Sequence, residues 1–224
     1  MYYQQPSYRN TQTSGSKRNM IRVTGEGIVS VKPDKAEITL GASTEDKQLE
    51  VAQKNNAMII SNIKKGLNQL DIQDEQIKTV NYSIFPQYDY VEGKQIFRGY
   101  KVEHLLQISI NDIENAGLVV DTAVKNGANV VSRIRFSVGD SIQYEQQALS
   151  IAVINAYQKA DTIARTLGVQ LNKVPILVAE IGRQRGEPIP FQMTALVKSE
   201  AATPIQPGTL EMRSQVSAEF EFHS

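Results

Sequence analysis

Cysteine and tryptophan are absent from this chain of 224 residues, and histidine occurs only twice. The lack of cysteine excludes a disulfide framework, a zinc-thiolate site and a thiol nucleophile. With two histidines, a transition-metal site would have to be built mainly from carboxylates, and the sequence does not gather them in one place. The sequence therefore predicts no metal site, no cofactor and no catalytic residues.

A surplus of charge of either sign is also missing, because 24 Lys and Arg balance 24 Asp and Glu. Proteins that bind a nucleic-acid backbone usually have a basic surplus, so no nucleic-acid partner is predicted. No segment approaches 18 consecutive apolar residues, so no transmembrane segment is predicted. Hydrophobic residues make up 41% of the chain, which is typical of a protein with a sizeable buried core.

Residues 1–19 form a polar segment rich in Tyr, Gln and Ser. This composition predicts a disordered tail. The segment lacks the apolar run of a secretory signal, so a cytoplasmic location is predicted. The alternative is a peripheral surface-layer protein, attached to a cell or spore surface through this tail.

The rest of the chain, residues 20–224, is predicted to form a single domain that contains an internal repeat. Each copy has the order strand, long helix, strand, strand. The first copy spans about residues 35–110, the second about 130–222, and a short third helix over 113–126 links them. The prediction is an α+β fold of two β-α-β-β-like repeats, with long helices packed on a mostly antiparallel sheet.

In the first copy, a strand over Lys35–Ser43 alternates apolar and polar residues, the pattern of a sheet with one wet face. A helix over Asp46–Leu70 follows, and Ser43 or Thr44 is its predicted cap. Two further strands are joined by a hairpin at Gly93.

In the second copy, an apolar stripe with three- and four-residue steps predicts a helix over Ser141–Leu167 that stops at Gly168. The stripe includes Val153, Ile163 and Leu167 as well as a series of alanines. Strands are predicted over Val169–Ile181 and Thr209–Phe222. The long connection between them, Arg183–Gly208, is expected to be a binding element or a mobile arm.

Gly25 and Gly27 resemble part of a dinucleotide-binding loop, but their context does not fit one. A strand and a proline turn follow them instead of a helix, and there is no third glycine at the required spacing. They are interpreted as strand glycines at a bulge or at a close approach of the backbone.

Three stretches of the chain together resemble the SIMPL-domain family, a family of unknown function. They are IRVTGEGIVSVKPDKAEITLGAST near the start, NAYQKADTIARTLGVQLNKVPILVAE in the centre and TPIQPGTLEMRSQVSAEFEF at the end. The resemblance implies a bacterial protein related to periplasmic immunogenic proteins, some of which assemble into ring- or channel-like oligomers. It also implies kinship with a vertebrate adaptor that associates with a kinase. No catalytic residues are established for the family.

The leading hypothesis is a non-catalytic assembly or binding module that forms a homo-oligomer, with a protein partner as a further expectation. Its predicted interface includes sheet edges, helix faces and five residues of the long connection: Arg183, Arg185, Pro188, Phe191 and Met193.

The competing hypothesis is a hydrolase with acidic catalytic residues in a cleft beside His104. It requires a concave pocket that holds at least two carboxylates. The preferred interpretation of His104 itself is a histidine with satisfied hydrogen bonds in the core or at the rim of the sheet.

Overall fold

The computed structural model describes residues 19–184, 188–189 and 203–223. Apart from Asn19, the predicted tail lies outside these residues. The strands of the described part are β1 (Met20–Val31), β2 (Lys35–Asp46), β3 (Ile77–Val91), β4 (Lys94–Ile110), β5 (Val130–Ser137), β6 (Gln170–Leu171), β7 (Leu177–Gln184), β8 (Pro188–Ile189) and β9 (Thr209–His223). The α-helices are α1 (Leu49–Asn68), α2 (Ala116–Lys125) and α3 (Ser141–Leu167).

The strands form two sheets. One sheet has the order β3-β4-β2-β5, and all of its neighbouring strands are antiparallel. In the other sheet, β9 pairs with β1, β6, β7 and β8. The predicted α+β class, with helices and mostly antiparallel sheets, is confirmed.

The described residues divide into two compact units, and the division falls within β1, α3, β7 and β9. The first unit contains residues 19–27, 148–183 and 214–223. The second contains residues 28–147, 184, 188–189 and 203–213.

The core of the second unit lies between α1, α2 and the face of β2 and β4. Ala36, Ile38 and Leu40 of β2 are fully buried, as their alternation with polar residues predicts. Buried apolar residues of α1, spaced by three and four, pack against them: Ile60, Ile63 and Leu67. Burial of one such side chain stabilises the fold by roughly 1.5–3 kcal/mol.

The core of the first unit is built on alanines of α3. Five alanines spaced four residues apart are buried in this helix: Ala148, Ala152, Ala156, Ala160 and Ala164. Gly25 and Gly27 of β1 lie against this stripe, so the helix and the strand approach more closely than side chains would allow. A Cβ atom at Gly27 would lie 2.6 Å from Ala152 N and still closer to the Ala148 carbonyl oxygen. The predicted close approach is confirmed.

The predicted cap of α1 is wrong. Ser43 and Thr44 belong to β2, where they pair with Glu103 and Val102 of β4. The strand therefore continues to Asp46, and the helix starts at Leu49 with Gln48 as its N-cap residue. The Thr44 hydroxyl does reach the helix, but as a donor to the Ala52 carbonyl oxygen at 2.8 Å.

Two predictions for the second copy need correction. The strand predicted over Val169–Ile181 is divided into β6 and β7 by residues 172–176. The apolar stripe predicted for α3 also included Val153, Ile163 and Leu167, and these side chains are exposed. The stop at Gly168 is confirmed, because its φ is 70° and the Val169 N–H donates to the Ala164 carbonyl oxygen at 3.0 Å.

Candidate functional site

A cleft in the second unit lies between α1 and the β3–β4 pair. Its volume is about 440 Å³. Its polar and charged lining residues are Gln53, Asn56, Ser61, Lys64, Lys65, Asn68, Asp74, Tyr82 and His104, and its apolar lining residues are Ala57 and Ile60. The volume falls in the range of small-molecule sites.

His104 lines this cleft and is held by its neighbours on β3. Its Nε2 lies 3.0 Å from the Thr79 hydroxyl, within hydrogen-bond distance. The Tyr82 ring meets the imidazole edge to face, with the ring centroids 5.2 Å apart. Burial of the ring lowers the pKa of His104, and the Lys64 ammonium lowers this pKa further. The lowered pKa favours the neutral imidazole. His104 lies in the middle of β4, an inner strand, and not at the rim of the sheet.

The hydrolase hypothesis required two carboxylates in this cleft. Among the described residues that line it, Asp74 is the only carboxylate. Its Oδ1 lies 3.4 Å from Lys64 Nζ, so this carboxylate already forms an ion pair with a lysine. The condition for acid–base hydrolysis is not met there. Among the described residues, no three His, Asp or Glu side chains are grouped so that they could hold a metal ion.

The lowered pKa of His104 gives a testable prediction. We expect the imidazole to titrate below 6.5, and the Lys64→Gln substitution to raise its pKa because the nearby ammonium is removed. The pKa is lower in the folded state than in the unfolded chain, so this group's contribution to stability is present above pH 6.5 and is lost as the pH falls below it. NMR titration of the imidazole carbons measures the pKa directly.

The control for this titration is Lys54→Gln, which removes an exposed lysine of the same helix that does not line the cleft. An imidazole that titrates at 6.5 or above, or that responds equally to both substitutions, would contradict the assigned environment.

Asn56 is the most deeply buried residue of the cleft, with 1% of its surface exposed. Its side-chain Nδ2 donates to two strand carbonyl oxygens, Ala42 O at 2.9 Å and Val102 O at 3.1 Å. These bonds attach α1 to β2 and β4. Within the described part of the chain, no donor reaches the Asn56 Oδ1 atom.

Asn56 was not predicted as a site residue, although the sequence contains a signal for it. Asn56 lies four residues after Ala52 and four before Ile60, within the apolar stripe of α1. A polar residue at such a position is expected to be buried, and its side chain then needs hydrogen-bond partners. It therefore marks a position where the side chain has a specific structural or functional role.

A second candidate site is the hairpin formed by β3 and β4. Glu92 and Gly93 form its turn with φ values of 51° and 77°, as in the type I′ turns of two-residue hairpins. The turn predicted at Gly93 is confirmed. Large apolar and aromatic side chains are exposed along both strands: Val80, Tyr82, Phe85, Tyr88, Tyr90, Val91, Ile96 and Phe97. We call these eight residues the hairpin surface.

Part of the hairpin surface is ordered by contacts between rings. Phe97 meets Tyr88 and Tyr100 edge to face, with centroid distances of 5.8 and 5.1 Å. The strand register places Tyr88 opposite Phe97. Arg98 follows Phe97 in β4. Its guanidinium bonds Glu45 of β2 at 2.8 Å and lies 3.6 Å from Asp89 of β3, so charged groups connect three strands beside the aromatic group.

The interface residues predicted in the long connection lie outside the part of the chain whose side chains are described. Arg183 lies in β7 and Pro188 in β8, at positions where only the backbone is described. Arg185, Phe191 and Met193 fall outside the described residues altogether.

None of the helices in the described ranges is both long and apolar enough to cross a membrane.

Comparison with known proteins finds relatives at low identity. The chain is 25% identical over 228 aligned residues to the 26 kDa periplasmic immunogenic protein of Brucella melitensis, with 96% of this chain and 90% of the relative covered. It is 23% identical to the uncharacterized protein YggE of Escherichia coli, with 81% of this chain and 72% of the relative covered. It is also 23% identical to the human interleukin-1 receptor-associated kinase 1-binding protein 1, with 76% of this chain and 63% of the relative covered.

The prediction of a cytoplasmic location is contradicted by these relatives. The proteins from Brucella melitensis and Brucella abortus are both named as periplasmic, and the similarity extends over 96% of this chain. The prediction depended only on the polar composition of residues 1–19, which does not determine the compartment.

The model of one family matches almost the whole described chain. It is SIMPL, described as a protein of unknown function (DUF541), and the match covers residues 21–220. This range includes nearly all of the two described sheets, the three described α-helices and both candidate sites. The chain belongs to the SIMPL family.

Proposed function

We propose that this protein is a non-catalytic binding module of the periplasm that self-associates through the hairpin surface. The observation that supports this proposal most strongly is the exposure of that surface. Tyr90 is 75% exposed, and Phe85, Tyr82, Ile96 and Val91 are each about half exposed. Exposed apolar residues grouped on one element are typical of surfaces that bind another protein.

The backbone of β3 supports the same proposal. This strand lies at the edge of its sheet, and no described strand pairs with its outer side. Such an edge presents free N–H and C=O groups that can pair with a strand of another chain. Pro86 lies within β3, as prolines do on edge strands.

The relatives are consistent with a binding role. The human relative is named as a binding protein of a kinase, and two Brucella relatives are named as periplasmic. For this chain we propose protein binding and a periplasmic location. A second copy of the chain is the proposed partner, because the edge of β3 and its aromatic residues are available on every copy.

Sedimentation velocity tests the proposed interface. We expect the double substitution Phe85→Ser and Tyr90→Ser to shift the protein toward the monomer, because both side chains are about half exposed or more and contribute little to the core. Met58→Ser is the matched control, since Met58 is 59% exposed on α1 outside the hairpin surface. Equal sedimentation of the wild type and the double variant at every concentration would refute the proposed interface.

We also propose that the long connection, Arg183–Gly208, forms a second region of contact between copies of the chain. Arg183, Arg185, Pro188, Phe191 and Met193 are its proposed contributors. We propose to test it separately with Phe191→Ser and Met193→Ser, in the same sedimentation assay and with the same Met58→Ser control. An unchanged assembly in this variant would remove the connection from the interface and leave the test of the hairpin surface unaffected.

A further inference from the structure

We propose that the far end of the β3–β4 hairpin docks onto the exposed strand β7 of a second copy of the chain. This inference rests on the proposed self-association and names the surface that receives the hairpin. A contact of this kind joins two different surfaces, so it differs from a symmetric contact between two hairpins.

The far end of the hairpin extends beyond the rest of its sheet. β2 ends opposite Tyr100 of β4. β3 and β4 continue to pair with each other up to Val91, which lies opposite Lys94. We call residues 87–99 the arm, and no third strand of the described chain pairs with it. A two-stranded hairpin is only marginally stable by itself in water, so a partner that covers the arm stabilises it.

The arm carries the outer part of the hairpin surface. Five of its large side chains are at least 45% exposed: Tyr88, Tyr90, Val91, Ile96 and Phe97. Exposed apolar groups of this size are typical of a surface that another protein covers.

The strand β7 has an exposed edge of matching character. It pairs with β9 on one side, and no described strand pairs with its other side. Apolar side chains at and just before its start are also exposed, and we call them the β7 surface: Val174, Ile176, Leu177, Val178 and Ile181. Among residues 174–181, only Glu180 is charged. Because charged side chains usually protect a free strand edge, this edge is suited to pair with a strand of another chain.

The two surfaces together are large enough for a specific contact. Each of these side chains exposes roughly 80–100 Å², about half the surface of a large apolar side chain. Docking therefore buries on the order of 1,000 Å² in total, close to the lower limit for a specific interface. A contact between arm and β7 surface covers both exposed areas, whereas two arms in symmetric contact would leave the β7 surface exposed to water.

A mixture of two variants tests which surfaces meet. The arm variant carries Tyr90→Ser and Ile96→Ser, and the β7 variant carries Leu177→Ser and Ile181→Ser. By sedimentation equilibrium, we expect each variant alone to be a monomer of 24.9 kDa. We expect their equimolar mixture to form pairs, because the intact arm of one docks onto the intact β7 surface of the other. Ile154→Ser, at an exposed position of α3 outside both surfaces, is the control and should assemble as the wild type does.

The outcomes separate this inference from the proposal on which it rests. A β7 variant that assembles as the wild type does would overturn the inference and leave self-association intact. Two monomeric variants whose mixture stays monomeric would also overturn it. A monomeric wild type would contradict the proposed self-association, and the inference with it.

Cross-linking gives a second measurement that keeps the apolar surfaces almost unchanged. The chain contains no cysteine, so Tyr90→Cys and Ile181→Cys place single thiols in separate copies. With a short bifunctional maleimide, we expect the mixture of these variants to yield mainly a product that joins position 90 to position 181. A product formed mainly between two copies at position 90, or no product in the mixture, would overturn the inference.

Discussion

Replacing Gly27 by alanine is expected to lower the free energy of unfolding by about 3 kcal/mol, the upper end of what added volume in a packed interface costs. The added Cβ would lie 2.6 Å from Ala152 N and nearer still to the Ala148 carbonyl oxygen. These are backbone atoms of a helix, so no side-chain rotation can relieve the contact. Urea denaturation followed by circular dichroism measures the loss.

Gly139→Ala is the control for this substitution. At Gly139 the nearest atom to an added Cβ is the Lys35 Cε at 2.8 Å, in a side chain that can move away. We expect it to cost less than about 1 kcal/mol. If Gly27→Ala lowers the free energy of unfolding no more than Gly139→Ala does, then β1 and α3 do not approach each other as closely as described.

Leu106→Ala is the second substitution with a large expected effect, a loss of about 2–5 kcal/mol. Leu106 lies in β4, is 1% exposed and pairs with Leu40 of β2 in the core of the second unit. Truncation removes buried methyl groups and leaves a cavity under α1. The free energy of unfolding, from denaturant titration, gives the loss.

Leu105→Ala removes the same atoms from the next residue of the strand. The Leu105 side chain points to the opposite face and is only partly buried. We expect less than half the loss seen for Leu106→Ala. Equal losses at the two positions would mean that the burial assigned to the two faces of β4 is wrong.

Much of the fold follows from local patterns in the sequence. Alternation of apolar and polar residues identified β2 and its buried face, and Gly93 and Gly168 correctly marked a hairpin turn and a helix end. These features are encoded by neighbouring residues, since turns and periodicity require no knowledge of distant partners.

The features that the sequence did not predict depend on distant residues. Ser43 and Thr44 have the chemistry of helix caps, but pairing with β4 extends the strand through them. In α3, helical periodicity could not distinguish alanines from larger apolar residues on the buried face. The close contact of Gly25 and Gly27 with the helix selects the alanines and leaves Ile163 and Leu167 exposed.

The candidate cleft was anticipated only through His104. Most of its other residues come from polar positions of α1, and in the sequence these positions look the same as an ordinary solvent-exposed helix face. Asn56 is the exception, because it interrupts the apolar stripe of that helix. The hairpin surface was also missed, since aromatic residues in a strand are as typical of a core as of an interface.

The central claim is that this member of the SIMPL family self-associates. The most direct test is the absolute mass of the purified protein, measured by light scattering coupled to size exclusion. The chain has a mass of 24.9 kDa. Our account predicts a discrete species of two or more chains at micromolar concentration. A single species of 24.9 kDa at every concentration would contradict it.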